Sequence, residues 1–157
     1  RRKQTGFTAS WVPLVMVVMA LFYLLSAYPA GKWSDRVSRR ALLSAGLGLL
    51  ILADLVLARA DSVAMTLMGV ALWGLHMGFS QGLLAAMVAD TAPPQLKGSA
   101  FGVFNLISGI SMLVASVLAG WLWQVYSAAV TFYAGAAISA LALLLLLFRR
   151  NRTRSTG

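Results

Sequence analysis

The stretch AYPAGKWSDRVSRRAL, residues 27–42, separates two long apolar segments and carries five charged residues. Charge is scarce elsewhere, because only 11% of the 157 residues are Asp, Glu, Lys or Arg, whereas 60% are hydrophobic. A soluble domain usually has about 25% charged residues. The sequence therefore predicts an integral membrane protein in which this stretch is a loop between two spans.

Composition also excludes several classes of function. The net charge is +9, but the basic residues lie between or outside the apolar runs and do not alternate with exposed aromatic residues, as in a nucleic-acid-binding surface. The chain has no Cys, no Glu and a single His, so neither a carboxylate dyad nor a metal triad is evident. It also lacks a glycine-rich phosphate loop, which argues against direct use of ATP. We expect no enzymatic activity, no cofactor, no bound metal and no nucleic-acid partner.

Five segments are long and apolar enough to span a membrane, which requires about 20 mostly apolar residues. They cover residues 10–30, 40–58, 64–90, 99–123 and 128–148. The short breaks between them carry charges, a Pro-Pro pair or polar residues, and continuous helix satisfies its own backbone in lipid. We predict an all-α bundle of five transmembrane helices in a single membrane domain, residues 1–157, with a basic tail over residues 149–157.

The basic residues also predict an orientation. If alternate breaks face alternate sides, nine Lys and Arg residues lie on the side of the opening stretch, the Pro-Pro loop and the C-terminal tail, and four lie on the other side. Short loops rich in Lys and Arg stay in the cytoplasm. We therefore expect a multi-pass protein of the cell's inner membrane, with a cytoplasmic C-terminus and at least one further span upstream.

The order of residues within the loop carries a motif. The segment GKWSDRVSRR, residues 31–40, has the form G-x-x-x-D-R-x-S-R-R, in which the matching positions are Gly31, Asp35, Arg36, Arg39 and Arg40. It resembles the loop signature of the major facilitator superfamily, which has glycine where this chain has Ser38. Residues 87–109, MVADTAPPQLKGSAFGVFNLISG, are similar to the superfamily's connection between spans ten and eleven. Because four spans and a basic tail follow the motif, the resemblance implies spans eight to twelve, with seven spans upstream.

The motif suggests an ion pair at the cytoplasmic end of the bundle. Arg39 and Arg40 can pair with a carboxylate of a neighbouring span, and Asp90 is the one acidic residue on that side besides Asp35. We predict an Arg39–Asp90 pair that holds the cytoplasmic gate in one of two packings. The resemblance implies that Asp35 faces the other half of the transporter. The alternative is that these charges only set the topology.

The third span has two distinct stripes. His76 lies near its middle on the same side as Trp73 and Ser80, and an ionisable group inside a membrane is a candidate functional residue. The opposite side carries a small-residue stripe that predicts close helix packing, formed by Gly74, Gly78 and Gly82. We interpret His76, Trp73 and Ser80 as candidate pathway residues. The alternative for His76 is a packed histidine that is hydrogen-bonded to a neighbouring helix.

Other polar positions complete the set of candidates. Tyr23 and Ser26 lie on one side of the first span, and Asn105 lies in the fourth. Each is a candidate for the solute pathway, although helix packing explains the same positions equally well. Asp54, in the outer third of the second span, is expected to be structural and to lie near Arg59.

Together these features predict part of a secondary active transporter that moves a small solute by alternating access. Met and aromatic faces favour an apolar or amphipathic solute and efflux, and the resemblance makes exchange against protons plausible. The expected partners are the solute, the lipid bilayer and the missing N-terminal spans of the same transporter. The alternative is a membrane scaffold that binds partner helices through its glycine stripe and transports nothing.

Overall fold

The structure, a computed structural model, describes residues 12–34 and 36–152. It consists of α1 (Val12–Ser34), α2 (Arg39–Ala58), α3 (Val63–Thr91), a short 3-10 helix (Pro94–Leu96), α4 (Lys97–Val125) and α5 (Ala128–Arg152). All five α-helices are long and apolar enough to cross a membrane. The predicted all-α bundle of five transmembrane helices is confirmed.

The helices are longer than the predicted spans at several ends. α1 continues from residue 30 to Ser34 and includes Pro29, which has no N–H to donate to the preceding turn. α4 begins at Lys97 rather than residue 99, and α5 continues to Arg152, so the first part of the predicted basic tail is helical. Hydropathy locates the part of a helix that lies in hydrocarbon, whereas the helix itself continues into the polar interface.

Two of the helices begin with the same short sequence pattern. Ser62 and Thr66 open α3 in the segment SVAMT, and Ser127 and Thr131 open α5 in the segment SAAVT. In each case the serine hydroxyl accepts a hydrogen bond from the backbone N–H three residues later, at 3.3 Å. The threonine hydroxyl donates to the serine carbonyl oxygen. The serine hydroxyls satisfy backbone N–H groups that a helix start leaves unpaired, and they mark where both helices begin.

α3 lies at the centre of the bundle, where it packs along α1 on one side and α2 on another, while α5 packs against α2. α4 touches α3 and α5 only lightly, and none of its residues, all of which the structure describes, is buried. An apolar helix with no buried face within the chain presents its whole surface to lipid or to other helices.

Two glycines of α3 set the close packing against α1. A Cβ added at Gly74 would overlap the carbonyl oxygen of Met19, and one added at Gly78 would lie 2.9 Å from that of Tyr23. Small residues allow two helix backbones to approach this closely. Gly82, one turn further along, has no atom of another residue within 4 Å of the same position. The contact therefore uses the first two glycines of the predicted stripe, and the helices separate at the third.

Candidate functional site

Two of the connections between helices lie at one end of the bundle. α1 and α3 end there, and α2 and α4 begin there, because short connections make consecutive helices antiparallel. We call this the motif end and define it by residues 32–34, 36–40 and 90–97. It holds the charged residues that the sequence assigned to the cytoplasmic gate.

The ion pair predicted from the sequence is present at the motif end. Arg39, the first residue of α2, donates a hydrogen bond from its guanidinium to the carboxylate of Asp90, in the last turn of α3. The two side chains are 41% and 56% exposed, respectively. Ion pairs this exposed contribute only about 0.2–1 kcal/mol to stability. The pair therefore joins α2 to α3 at their ends through a contact that is readily broken.

Both partners are at unfavourable positions with respect to their own helix. Arg39 places a positive charge at the N-terminus of α2, and Asp90 places a negative charge at the C-terminus of α3. The helix dipole disfavours each charge by about 0.3–1 kcal/mol. Mutual attraction between the two side chains offsets this effect only while the helix ends stay together. The two charges therefore favour the packing in which the start of α2 lies against the end of α3.

Ser38, where the loop signature has glycine, has a clear structural role. Its hydroxyl accepts a hydrogen bond from the N–H of Ala41 at 3.3 Å and caps α2 immediately before Arg39. Serine and glycine are both suitable N-cap residues, and serine is the stronger one. The departure from the signature therefore retains a well-defined start of α2.

The remaining motif residues have different positions. Arg36 and Arg40 are exposed beside the ion pair, and Gly31 lies in the last part of α1. Asp35 lies outside the described residues, so its predicted contact with another half of the protein stays a prediction. Trp33 at the end of α1 packs on Phe79 of α3, with ring centroids 6.1 Å apart.

Tyr23 and Ser26 lie on the face of α1 that contacts α3. Ser26 is 2% exposed, and its hydroxyl donates to the carbonyl oxygen of Tyr23 at 3.0 Å. Gly78 of α3 lies directly against both residues. These two candidates for the solute pathway therefore take part in the packing of α1 on α3.

His76 lies on a different side of α3 and contacts α2. Its Nδ1 is 2.8 Å from the carbonyl oxygen of Gly46. Because a carbonyl oxygen only accepts, Nδ1 must carry the proton of this hydrogen bond. Ser80, one turn further along, donates its hydroxyl proton to the carbonyl oxygen of His76. The packed histidine that the sequence left open as an alternative is the arrangement observed.

The six candidate pathway residues are not gathered on one surface. Tyr23 and Ser26 are on the α1 side of α3, His76 and Ser80 are on its α2 side, Trp73 is 40% exposed, and Asn105 is exposed on α4. Helical periodicity correctly separated the histidine stripe from the glycine stripe, but it does not identify which neighbour each stripe meets. Within residues 12–34 and 36–152, no three His, Asp or Glu side chains gather where they could hold a metal ion.

Asp54 is buried between α2 and α5. Its side chain is 6% exposed and faces Gly135, where an added Cβ would lie 2.7 Å from a carboxylate oxygen. Arg59 is exposed at the end of α2 and makes no ion pair with it in the part of the chain that the structure describes. Asp54 therefore points toward α5, and its expected nearness to Arg59 stays a prediction.

Sequence reasoning missed one feature, a cavity of about 190 Å³ between α1 and α3 near the motif end. Its walls come from small residues that hydropathy does not distinguish from other apolar residues, chiefly Ala27, Ala30, Gly82 and Ala86. The available signal was the coincidence of small residues on facing sides of two helices. This coincidence predicts a cavity only when the two helices are known to be neighbours.

The five long apolar helices define a multi-pass α-helical membrane protein. Residues 2–157 match the profile of the Major Facilitator Superfamily, and the chain belongs to this family. It is 29% identical over 138 residues to an uncharacterised MFS-type transporter of Methanocaldococcus jannaschii, covering 87% of this chain and 34% of that protein.

Two further relatives have names that state a resistance. The class E tetracycline resistance protein of Escherichia coli is 28% identical over 144 residues, covering 92% of this chain and 35% of that protein. The quinolone resistance protein NorA of Staphylococcus aureus is 21% identical over 143 residues, covering 91% and 37%. The chain thus spans about a third of the length of the curated relatives it matches.

Proposed function

We propose that this chain is part of a secondary active transporter that expels a small solute by alternating access, in exchange for protons. Family membership and the likeness to two proteins named for drug resistance support transport and efflux. The observation that carries the proposal is the ion pair between Arg39 and Asp90, since a transporter needs contacts that form in one state and break in the other.

The proposed gate acts at the motif end. With the pair formed, the first turn of α2 is held against the last turn of α3, and the passage between the helix ends is narrowed. When the pair breaks, each charge is left at a helix terminus that disfavours it, so water and lipid headgroups must solvate both. This contact then contributes about 1 kcal/mol to the free-energy difference between the closed and open states. That is small enough for solute binding to reverse which state is favoured.

The proposed orientation places the motif end and the C-terminus in the cytoplasm of a cell with an inner membrane. It is supported by the excess of Lys and Arg at the motif end and over residues 149–154. The matching to spans eight to twelve, and hence the upstream spans as the other half of the pathway, belongs to the same proposal.

The scaffold alternative depended on a glycine stripe that is free to bind partner helices. Gly74 and Gly78 are instead in close contact with α1 of the same chain. The stripe therefore has an occupant within the chain, which favours transport over a scaffold.

Efflux is tested with the full-length protein in a bacterial host that lacks its own major drug pumps. The probes are tetracycline and the fluorescent quinolone norfloxacin, and the readout is accumulation in energised cells. We expect lower accumulation than with an empty vector, and we expect a protonophore to abolish the difference. Equal accumulation with and without the protein for both probes, and for a panel of small amphipathic cations, would argue against the proposal.

A further inference from the structure

The cavity between α1 and α3 arises where the two helices separate. They are in backbone contact at Gly74 and Gly78, but a Cβ at Gly82 would meet nothing within 4 Å. On the facing side of α1, Ala27 and Ala30 have side chains too short to fill the gap. Protein interiors are normally close-packed, but two diverging helices with small residues on both facing surfaces leave a space between them.

The walls of the cavity are apolar and partly aromatic. Phe79 and Leu83 of α3 and Tyr23 of α1 are the large residues that line it. Among the residues that the structure describes, no charged side chain lines the space. The ring of Phe79 also packs on Trp33, with ring centroids 6.1 Å apart. Such a lining favours a neutral apolar group that can also stack on an aromatic ring.

Its size limits what it can hold. The volume is about 190 Å³, whereas an engineered protein cavity of about 150 Å³ lined by apolar residues binds benzene. The space therefore accepts one aromatic ring with a small substituent but not a fused drug skeleton. Gly82 and Ala86 are exposed at its margin, so an occupant can enter from the side of the bundle.

The cavity also lies beside the proposed gate. Ala86 is one helical turn, about 6 Å, before Asp90 on α3. An occupant that pushes α1 away from α3 at this level would act directly on the end of α3 that the ion pair holds.

We propose that this cavity is a binding subsite for a single neutral aromatic ring of the transported solute. It lies between the Arg39–Asp90 pair and the middle of the bundle. The inference rests on the proposed function only in naming the ring as part of a solute. Binding of a small aromatic molecule to the cavity is independent of whether transport occurs, and the test separates the two.

The test uses the full-length protein in nanodiscs and fluorobenzene, a single neutral ring, as the probe, observed by ¹⁹F transverse relaxation. Gly82→Leu fills the space without a backbone clash, and Ala86→Leu is a second obstruction if the first variant fails to fold. Gly48→Leu is the matched control, because Gly48 is also nine residues from its helix end at the motif end and also has open space at Cβ.

We expect saturable line broadening above the empty-nanodisc value for the wild type and Gly48→Leu, and its loss in Gly82→Leu or Ala86→Leu. Equal broadening in all variants would overturn the subsite. Broadening by the wild type no greater than that by empty nanodiscs would overturn it too, and this is the result expected if an upstream helix covers the cavity. Binding that appears only after lipid is stripped would assign the space to an acyl chain and overturn it as well. Ring binding without efflux would contradict the proposed function alone, and efflux without ring binding would contradict this inference alone.

Discussion

Arg39 and Asp90 illustrate how the position of a charge separates two explanations of the same residues. A cation that only sets topology needs no partner and tolerates any place in the loop. Arg39 instead occupies the first turn of α2, where the dipole disfavours it, and contacts the one acid in the last turn of α3. The contact contributes little to stability, and a contact that is easily broken is what the proposed gate requires.

Ser38 leads to a prediction about the same helix start. Replacing it with alanine removes the hydrogen bond to the N–H of Ala41 and should lower the free energy of unfolding by about 1 kcal/mol. Replacing it with glycine should cost only a few tenths of a kcal/mol, because glycine is also a suitable cap. Thermal unfolding in detergent measures both, with Ser44→Ala as the control within α2. Equal losses for alanine and glycine would contradict the capping role.

His76 leads to a second prediction, which separates packing from proton transfer. Asparagine can keep a donor near the position of Nδ1, so His76→Asn should retain both stability and transport. His76→Leu loses the bond to Gly46 and should be less stable by about 0.6–2 kcal/mol. Unfolding in detergent and efflux in cells are measured on the same variants. A stable His76→Asn protein that has lost proton-driven efflux would show that titration of the imidazole is required.

At the scale of elements, the bundle is organised around the two sides of α3. One side is smooth at Gly74 and Gly78 and accepts α1, whereas another carries His76, whose side chain binds the backbone of α2. α1 and α2 barely touch each other, so their relative position is transmitted through α3. A change in how α3 packs would therefore move both neighbours.

Gly78 tests this arrangement. Gly78→Leu would force α1 away, because an added Cβ already lies within 2.9 Å of the Tyr23 carbonyl oxygen. We expect a destabilisation of about 3 kcal/mol, at the upper end of typical overpacking effects. Gly48→Leu, on an open surface of α2, should be neutral. The measurement is the unfolding midpoint in detergent, and similar midpoints for the two variants would exclude the close α1–α3 contact.

Much of this architecture was predictable from sequence, and the rest was not, for identifiable reasons. Hydropathy located all five helices because lipid requires long apolar runs, but it missed the last four residues of α1, 31–34. Periodicity separated the two stripes of α3, yet Gly82 is open and Asn105 is exposed, since neighbours are decided by three-dimensional packing. Asp54 faces Gly135 of α5, and nothing in the sequence around Asp54 indicates which helix it faces.

For the whole molecule, the distribution of charge and apolar surface fits a membrane protein in one orientation. α4 exposes apolar residues along its whole length, and both Trp121 and Trp123 lie at the end opposite the motif end. Tryptophan at that level is typical of the membrane interface. The two ends of the bundle thus differ, with cations at one and aromatic residues at the other.

The orientation gives a prediction for the intact protein. Gln95 and Asp61 are both exposed, but they lie at opposite ends of the bundle. The chain has no cysteine of its own, so a single introduced thiol reports its own location once any upstream cysteines are replaced. In intact cells a membrane-impermeant maleimide should label Asp61→Cys and spare Gln95→Cys, which should react only after permeabilisation. The reverse pattern would invert the proposed topology.

The most direct test of the central claim is a double-mutant cycle on efflux by the full-length protein, with Arg39→Gln, Asp90→Asn and both together. If the pair acts as one gate, each single variant should lower the efflux rate about fivefold, and the double variant should be no slower than either, a coupling of about 1 kcal/mol. Asp61→Asn, an exposed acid at the other end, should leave the rate unchanged. Effects that multiply to about 25-fold in the double variant would mean that the two charges act independently, and the gate would be contradicted.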